Sequence, residues 1–328
     1  GAIKGTGSGA IEAIVEARAA SGLFRSLFDF CARIDRRRVN KRVVEALVRA
    51  GAFDALHADR ASLLASVSLG FDWAETQEAH ASQAGLFDDF GADAHGASTQ
   101  EPPLVQADAW DVRQRLLHEK AAIGFHLSAH LFQQDEAEVR RFCPKRIGDL
   151  VDSREPQLLA GIVGEFRVGT NGPRGRTGFF SLDDGSEPIE SVVAEELLDA
   201  NRELLKDDEI VVVSGRVQHD RFSGGLQLTV NQVWDLATAR CRFGKYLKVA
   251  VNGKAPDIQR LVREFPPRRE MSEQGELVRG LGVRLALLRD QATAELQLGE
   301  DARFFPSDAA LASWMAQADR GAAQIVYE

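Results

Sequence analysis

Apolar positions in residues 1 to about 56 recur at helical spacing. Ile11, Ile14 and Val15 mark one face, and Val43, Val44, Leu47 and Val48 mark a second. Asn40 stands where an N-cap belongs, and Gly51 where that second helix should stop. A further helix is expected over residues 61–69. Beyond it Gln, Ala, Ser, Gly and Asp prevail as far as Pro102 and Pro103, which is the composition of a solvated linker. Helical spacing returns over 112–124 and runs into FHLSAHLF.

From about residue 157 to 236 the period drops to two. LLAGIVGEFRV, TGFFSLDD, EIVVVSGRV and GLQLTVNQVW are β-branched or aromatic runs bounded by Gly, Asn and Asp. AEELLDANRELL, a helix pattern, falls between the third and fourth strands. Five short strands with one inserted helix is the order of an OB-fold barrel. After residue 243, KYLKVAV, VRLALLR and TAELQLG read as strands, and 256–264 and 307–318 as helices. The predicted architecture is multidomain α+β. A helical module occupies 1–70, an acidic flexible linker 71–111 and a helical connector 112–150. A five-stranded OB-fold β-barrel follows over 151–240, and a small C-terminal α/β domain over 241–328.

Charge sharpens this division. The 328 residues carry a net charge of -9, which argues against a generally basic nucleic-acid binder. Residues 1–56 nevertheless hold ten Lys/Arg against six Asp/Glu, whereas residues 57–112 hold one Arg against ten acids. A basic head and an acidic linker are averaged away in the total. Cys31, Cys143 and Cys241 are far apart and form no CxxC, so a reducing cytoplasmic setting is expected, without disulfides or a zinc site. No run of 18 apolar residues exists, so no membrane span is expected. The chain opens inside a motif and without an initiating Met. It is therefore expected to be the C-terminal part of a longer protein.

IKGTGSGAIEAIVEAR has the shape of a helix-hairpin-helix turn. Gly5, Thr6, Gly7 and Gly9 would turn backbone amides outward at a helix start, where they bind phosphate without reading sequence. The bland alternative is an ordinary tight turn. RRRVNKR adds Arg36, Arg37, Arg38, Lys41 and Arg42 before a second helix. A charge run is usually a solvated face, but beside an amide turn it becomes a candidate clamp on duplex DNA. In the barrel, the first candidate loop is VGTNGPRGR, with Arg174 and Arg176 leading into Phe179. The second is HDRFSGG, with Arg221 and Phe222. Cation plus ring at both loops suits single-stranded DNA, although one of Phe179 and Phe180 must face the core.

His126 and His130 stand four apart, but no third ligand lies near in sequence, so metal binding is not expected and His130 is expected to be a packed or capping histidine. Adjacent acids at Asp183/Asp184 and Asp207/Asp208 flank strands and read as turns; Asp88/Asp89 fall in the linker. With no phosphate loop and no nucleophile triad, no catalytic centre and no metal or cofactor site is expected in this chain. QAGLFDDF is a different anomaly. A solvated linker has no reason of its own to keep Leu86 beside Phe87, three residues after Gln83.

Together GAIKGTGSGAIEAIVEAR, VNKRVVEALVRAGAFDAL, EKAAIGFHLSAHLF, TGFFSLDDGS and VVVSGRVQHDRFSGGLQLTVNQVWDL resemble, in order, the C-terminal part of the alpha (catalytic) subunit of bacterial DNA polymerase III. The resemblance covers essentially the whole chain. It implies a tandem helix-hairpin-helix module on duplex DNA and an OB domain near single-stranded template. It matches Gln83, Leu86 and Phe87 to the Gln-x-x-Leu-Phe peptide that docks on the sliding clamp (beta subunit). The part after Phe243 is implied to hold the tau subunit of the clamp loader. DNA-directed polymerase chemistry, with Mg expected as its ion, is implied for upstream sequence. One departure is GSEPIESVV, whose Pro188 suggests a short or edge strand. Two rivals stand beside this: an error-prone paralogue of the subunit, and a stand-alone single-strand-binding or repair scaffold.

Overall fold

The computed structural model describes residues 2–87, 100–170, 175–220, 224–252, 255–272, 275–289 and 292–327. Side chains within these spans are described except at 81–87, 170, 271–272, 275 and 288–289. The chain divides into two units, Gly1–Leu131 and Phe132–Glu328.

In the first unit, α1 (Ser8–Ser21), α2 (Leu27–Arg33), α3 (Lys41–Arg49), α4 (Arg60–Phe87) and α5 (Val112–Ile123) pack on one core. Local signals set the helix ends. Asn40 Oδ1 accepts from the Val43 amide at 3.1 Å, and Gly51 takes φ +81° just after α3. Asp111 and Gln114 form a reciprocal capping box at the start of α5. The α3 stripe is buried as its spacing predicts: Val43, Val44, Leu47 and Val48 meet Phe30, Val39 and Phe53.

The expected linker is corrected in its first half. The helix predicted to fade near residue 69 continues to Phe87. Leu63, Val67, Phe71 and Ala74 carry the buried stripe onward, and Trp73 meets the Phe28 ring edge-on at 5.7 Å. Gly70 does not break the helix. A Cβ there would lie 3.0 Å from Cys31 Sγ, so glycine admits close packing of α2 on α4. The Ala and Gln that read as linker composition are also good helix formers. The chain after residue 99 is bound to the same helix: the Val105 amide donates to Ser66 Oγ at 2.9 Å and the Ala107 amide to Ser62 Oγ at 3.2 Å.

The expected connector 112–150 is divided between the units. α5 belongs to the first, where Glu119 of α5 is fully buried. Its carboxylate receives Arg60 at 2.8 Å and the Leu127 and Ser128 amides at 2.8 and 2.9 Å. Arg60 also forks onto Asp54 at 2.6 and 2.7 Å.

The second unit starts with α6 (Gln133–Val139). β1 (Ser153–Thr170), β2 (Arg176–Asp183), β3 (Ile189–Ala194), β4 (Ile210–His219) and β5 (Leu226–Trp234) close a barrel in the order β1-β2-β3-β5-β4. α7 (Glu195–Ala200) sits between β3 and β4, as predicted. β1 serves two neighbours: its first half pairs with β4 (Leu159 opposite Val213) and its second with β2 (Val163 opposite Leu182). At Gly161 a Cβ would meet the Asp183 carbonyl oxygen at 2.8 Å, so only glycine fits there. β3 is not an edge strand. It pairs with β2 and, in parallel, with β5. Pro188 precedes its first paired residue, so its missing N–H costs no ladder bond.

α8 (Leu236–Phe243) leads into the last part: β6 (Gly244–Val251), α9 (Ile258–Glu264), β7 (Arg268–Ser272), β8 (Gly275–Arg279), β9 (Gly282–Arg289), β10 (Ala292–Gln297), α10 (Asp308–Gln317) and β11 (Ala323–Tyr327). The sheet order is β10-β9-β6-β11, with β6 and β9 parallel and β7–β8 a separate hairpin. The expected strands and helices are present; the hairpin, α6, α8 and β11 are additions. Leu247, Val249, Val283, Leu261 and Trp314 fill its core. Buried Arg240 of α8 ties the unit together. It donates to Glu138 at 2.8 and 2.7 Å, to Asp308 at 2.6 Å and to the Pro306 carbonyl at 3.1 Å, and Tyr327 donates to Glu138 at 2.5 Å.

Candidate nucleic-acid interface

The glycine turn opens onto solvent. Gly5 has φ +78°, and nothing lies within 4 Å of a Cβ built at Gly5 or Gly7. Gly7 is the N-cap of α1 and supplies no side-chain cap, so no N-cap side chain satisfies the first amides of α1. A phosphate oxygen can therefore reach backbone at the positive end of this helix. Thr6, expected in the same turn, is buried and faces the protein. Lys4 is exposed beside the turn and was not singled out from sequence.

The five cations of RRRVNKR are sorted by the fold. Arg38 forks onto Glu12 and Glu16 of α1 at 3.0 and 2.9 Å. Arg36 pairs with Glu78 of α4. Lys41 lies 3.4 Å from Asp72 and over the Phe71 ring at 5.9 Å. Arg37 and Arg42 are exposed and have no acidic partner among the described residues. They are the two cations immediately available to a phosphate. The other three are held in solvent-accessible pairs, worth ~0–1 kcal/mol each.

On the barrel, Phe180 is core and Phe179 is half-buried on the outer face. Strand register brings Arg167 of β1 and Val192 of β3 directly beside Phe179. The Arg167 guanidinium stands 5.8 Å from the Phe179 ring centroid and 3.0 Å from Glu190. Gly169 leaves the ring its space, because a Cβ there would approach it at 3.2 Å. Ring and cation are thus adjacent on the outer surface, but the cation is Arg167, which sequence reasoning missed. Its partner lies twelve residues away, and only the β1–β2 register unites them. Arg176 is spent elsewhere: Glu195 and Asp199 of α7 clasp it at 2.8 and 2.7 Å. Arg174, Arg221 and Phe222 lie outside the described residues.

Gln83, Leu86 and Phe87 fall in the last turns of α4, and their side chains lie outside the described ones. Asp88 and Asp89 lie outside the described residues, and the other two acid pairs make structural hydrogen bonds. Buried Asp184 accepts from Arg140 at 2.6 Å and the Ile147 amide at 3.0 Å, and Asp207 accepts from the Phe166 amide at 2.9 Å. Among the described residues no three His, Cys, Asp or Glu side chains converge as metal ligands. Burial pushes the Cys31 thiol up to about 12 and Cys143 to about 11, so both stay protonated at neutral pH. No described helix is long and apolar enough to cross a membrane.

A family model described as a helix-hairpin-helix motif matches residues 1–63, and one described as an OB-fold nucleic acid binding domain matches residues 158–236. The DNA polymerase III subunit alpha of Vibrio cholerae serotype O1 is 37% identical over 95% of this chain, which covers 26% of that protein. The subunit alpha of Neisseria meningitidis serogroup B is 39% identical over 80% of this chain and 22% of its own length. The chain is similar to these subunits over 80–95% of its length, and it spans about a quarter of theirs. Among solved structures, the mitochondrial single-stranded DNA binding protein Rim1 of S. cerevisiae is 19% identical, covers 25% of this chain and 93% of its own, and has a TM-score of 0.22.

Proposed function

We infer that this chain is the C-terminal part of the alpha subunit of a bacterial DNA polymerase III, and that it holds the enzyme on DNA and on its partners. The observation that carries this reading is the 37% identity sustained over 95% of the chain. The open glycine turn with Arg37 and Arg42 grips duplex through phosphates, without reading bases. The Arg167–Phe179 surface receives single-stranded template, the ring stacking on a base and the cation meeting phosphate. Nucleotidyl transfer, with Mg as its ion, belongs to the part of the subunit outside this chain, and the setting is the bacterial cytoplasm.

Gln83, Leu86 and Phe87 tether the subunit to the sliding clamp. A weak contact to a ring trapped on DNA raises the effective concentration of the enzyme at the primer end. The part beyond Phe243 is assigned to the tau subunit of the clamp loader. Its test is a pull-down with tau in which the exposed Leu296 and Met315 are each changed to Asp; undiminished recovery of tau by both variants removes that assignment. The decisive assay for the whole is nucleotide incorporation on a primed template by the full-length subunit and by this chain alone. Incorporation by the full-length subunit only is expected. Incorporation by this chain alone would relocate the chemistry, and a full-length protein inert on primed DNA would favour the repair-scaffold alternative. Dependence of processive synthesis on the clamp and tau separates the replicative subunit from an error-prone paralogue.

A further inference from the structure

The glycine turn of the helical module is held from outside the hairpin it belongs to. The Thr6 amide donates to the Ile3 carbonyl at 3.2 Å, and Gly5 takes φ +78°. Ile3–Thr6 is therefore a type II turn, with Lys4 in its second position and Gly5 in its third. Two of its residues are anchored inward: Ile3 packs against the core and Thr6 is buried. The third anchor is Lys4, whose amide donates to the Ala122 carbonyl of α5 at 2.7 Å. α5 lies beyond residue 63, where the match to the helix-hairpin-helix motif stops.

α5 is itself seated. Glu119, three residues before Ala122, is fully buried and receives Arg60 of α4 at 2.8 Å, and Arg60 forks onto Asp54. A buried ion pair adds little net stability; its best-attested use is to fix one register, here that of α5 on α4. Gly124 then ends the helix at φ +103°, and this end carries the negative pole of the helix dipole. The Lys4 side chain lies at that pole, its Cε and Nζ 3.7 and 3.8 Å from a Cβ built at Gly124. Lys4 is exposed and has no acidic partner among the described residues. Its cation stands beside the open turn, steadied by a partial charge and not by a carboxylate.

We propose that α5 is the buttress of the duplex grip: Ala122 fixes the turn through the Lys4 amide, and the Lys4 ammonium meets the phosphate that the turn receives. Lys4 is thus a binding residue through its side chain and a positioning residue through its backbone. This rests on the reading that the glycine turn grips duplex DNA. The two roles leave different marks on salt dependence. A cation on a phosphate releases counterions and adds to the slope of log affinity against log salt, whereas a neutral amide contributes affinity without slope.

The test is a duplex titration of the 328-residue chain across a salt series, with three variants at one position. Lys4→Ala should lower the slope by about 0.9. Lys4→Pro should lower it equally and weaken binding by about a further tenfold at every salt concentration, because it also removes the N–H that Ala122 holds. Proline suits the second position of a type II turn, so the turn itself survives. Lys4→Arg, which keeps both the amide and the charge, should keep both slope and affinity. Identical titrations of Lys4→Pro and Lys4→Ala overturn the buttress, and an unchanged slope in Lys4→Ala overturns the phosphate contact; either result leaves the duplex reading standing. A second measurement needs no variant. In the parent chain the Lys4 amide should exchange its hydrogen about tenfold more slowly than the Gly5 amide, and equal rates overturn the buttress. A parent chain without measurable affinity for duplex removes the duplex reading itself.

Discussion

Changing Arg37 and Arg42 together to Ala tests how the fold sorts the cations of the helical module. Both are exposed without an acidic partner among the described residues, whereas Arg38 is forked between Glu12 and Glu16. Each cation on a phosphate contributes about 0.9 to the slope of log affinity against log salt. Losing two should lower that slope by about 1.8. The same arithmetic gives an affinity loss of roughly 60-fold at about 0.1 M salt and about ninefold at about 0.3 M. Arg38→Ala removes one charge too, but it removes a cation already neutralised by α1. Its slope should fall by less than about 0.5 if Arg38 keeps its glutamates in the complex. The assay is anisotropy of a labelled duplex titrated at several salt concentrations. An unchanged slope for the double variant refutes the phosphate contacts. A slope loss in Arg38→Ala equal to half that of the double variant refutes the sorting.

On the barrel, Phe179→Ala should weaken single-strand binding by about 1–3 kcal/mol, the range for one stacked base. Arg167→Ala should weaken it in the same assay, while Arg176→Ala, whose guanidinium already serves Glu195 and Asp199, should leave it within about twofold; equal losses from Arg167→Ala and Arg176→Ala would contradict the geometry. For the clamp, Leu86→Ala with Phe87→Ala should abolish measurable binding in a calorimetric titration, and unaltered affinity would return the stretch to a stray helix end. Acid should weaken both units. Burial pushes Glu119 up, but the Leu127 and Ser128 amides and Arg60 outweigh it and hold the carboxyl below its ordinary value. Asp184 is likewise held down by Ser186, Arg140 and the Ile147 amide against its burial. Their stabilisation is complete above the unfolded values near 4 and is lost as pH falls through the lower folded ones. Urea midpoints between about pH 6 and 3 should show the loss, with a smaller pH dependence in Glu119→Gln; a flat profile in the parent chain would refute it.

How far the sequence reached depended on whether its signals were local. The Asn40 cap and the Val43, Val44, Leu47, Val48 stripe lie within one helix and were legible. The barrel was legible because β1, β2, β4 and β5 are β-branched or aromatic runs bounded by Gly, Asn and Asp. The continuation of α4 was not, since Ala, Gln and Ser score as linker when composition is read without asking where Phe71 and Ala74 would go. RREMS and GELVR show no apolar alternation, so the β7–β8 hairpin had no signal to read. Arg176 looked available because Glu195 and Asp199, nineteen and twenty-three residues on, are brought to it only by the turn from β3 into α7. The glycine turn was recognised, but Thr6 within it was not seen to face inward, because spacing says nothing of a single buried side chain.

The Arg240 node has a bearing on how the protein is made. Arg240 meets Glu138 and Asp308, and Tyr327, which donates to Glu138, lies 189 residues after it. Barrel closure also waits, since the parallel pairing of β3 with β5 needs residues up to Val230. The core of the first unit is built from residues that all precede Asp111. The second leaves Arg240 and Glu138 without their full set of partners until Tyr327 has emerged. A chain truncated between Arg240 and Tyr327 would lack part of this node, which limited proteolysis should report as cleavage at residues after Phe132.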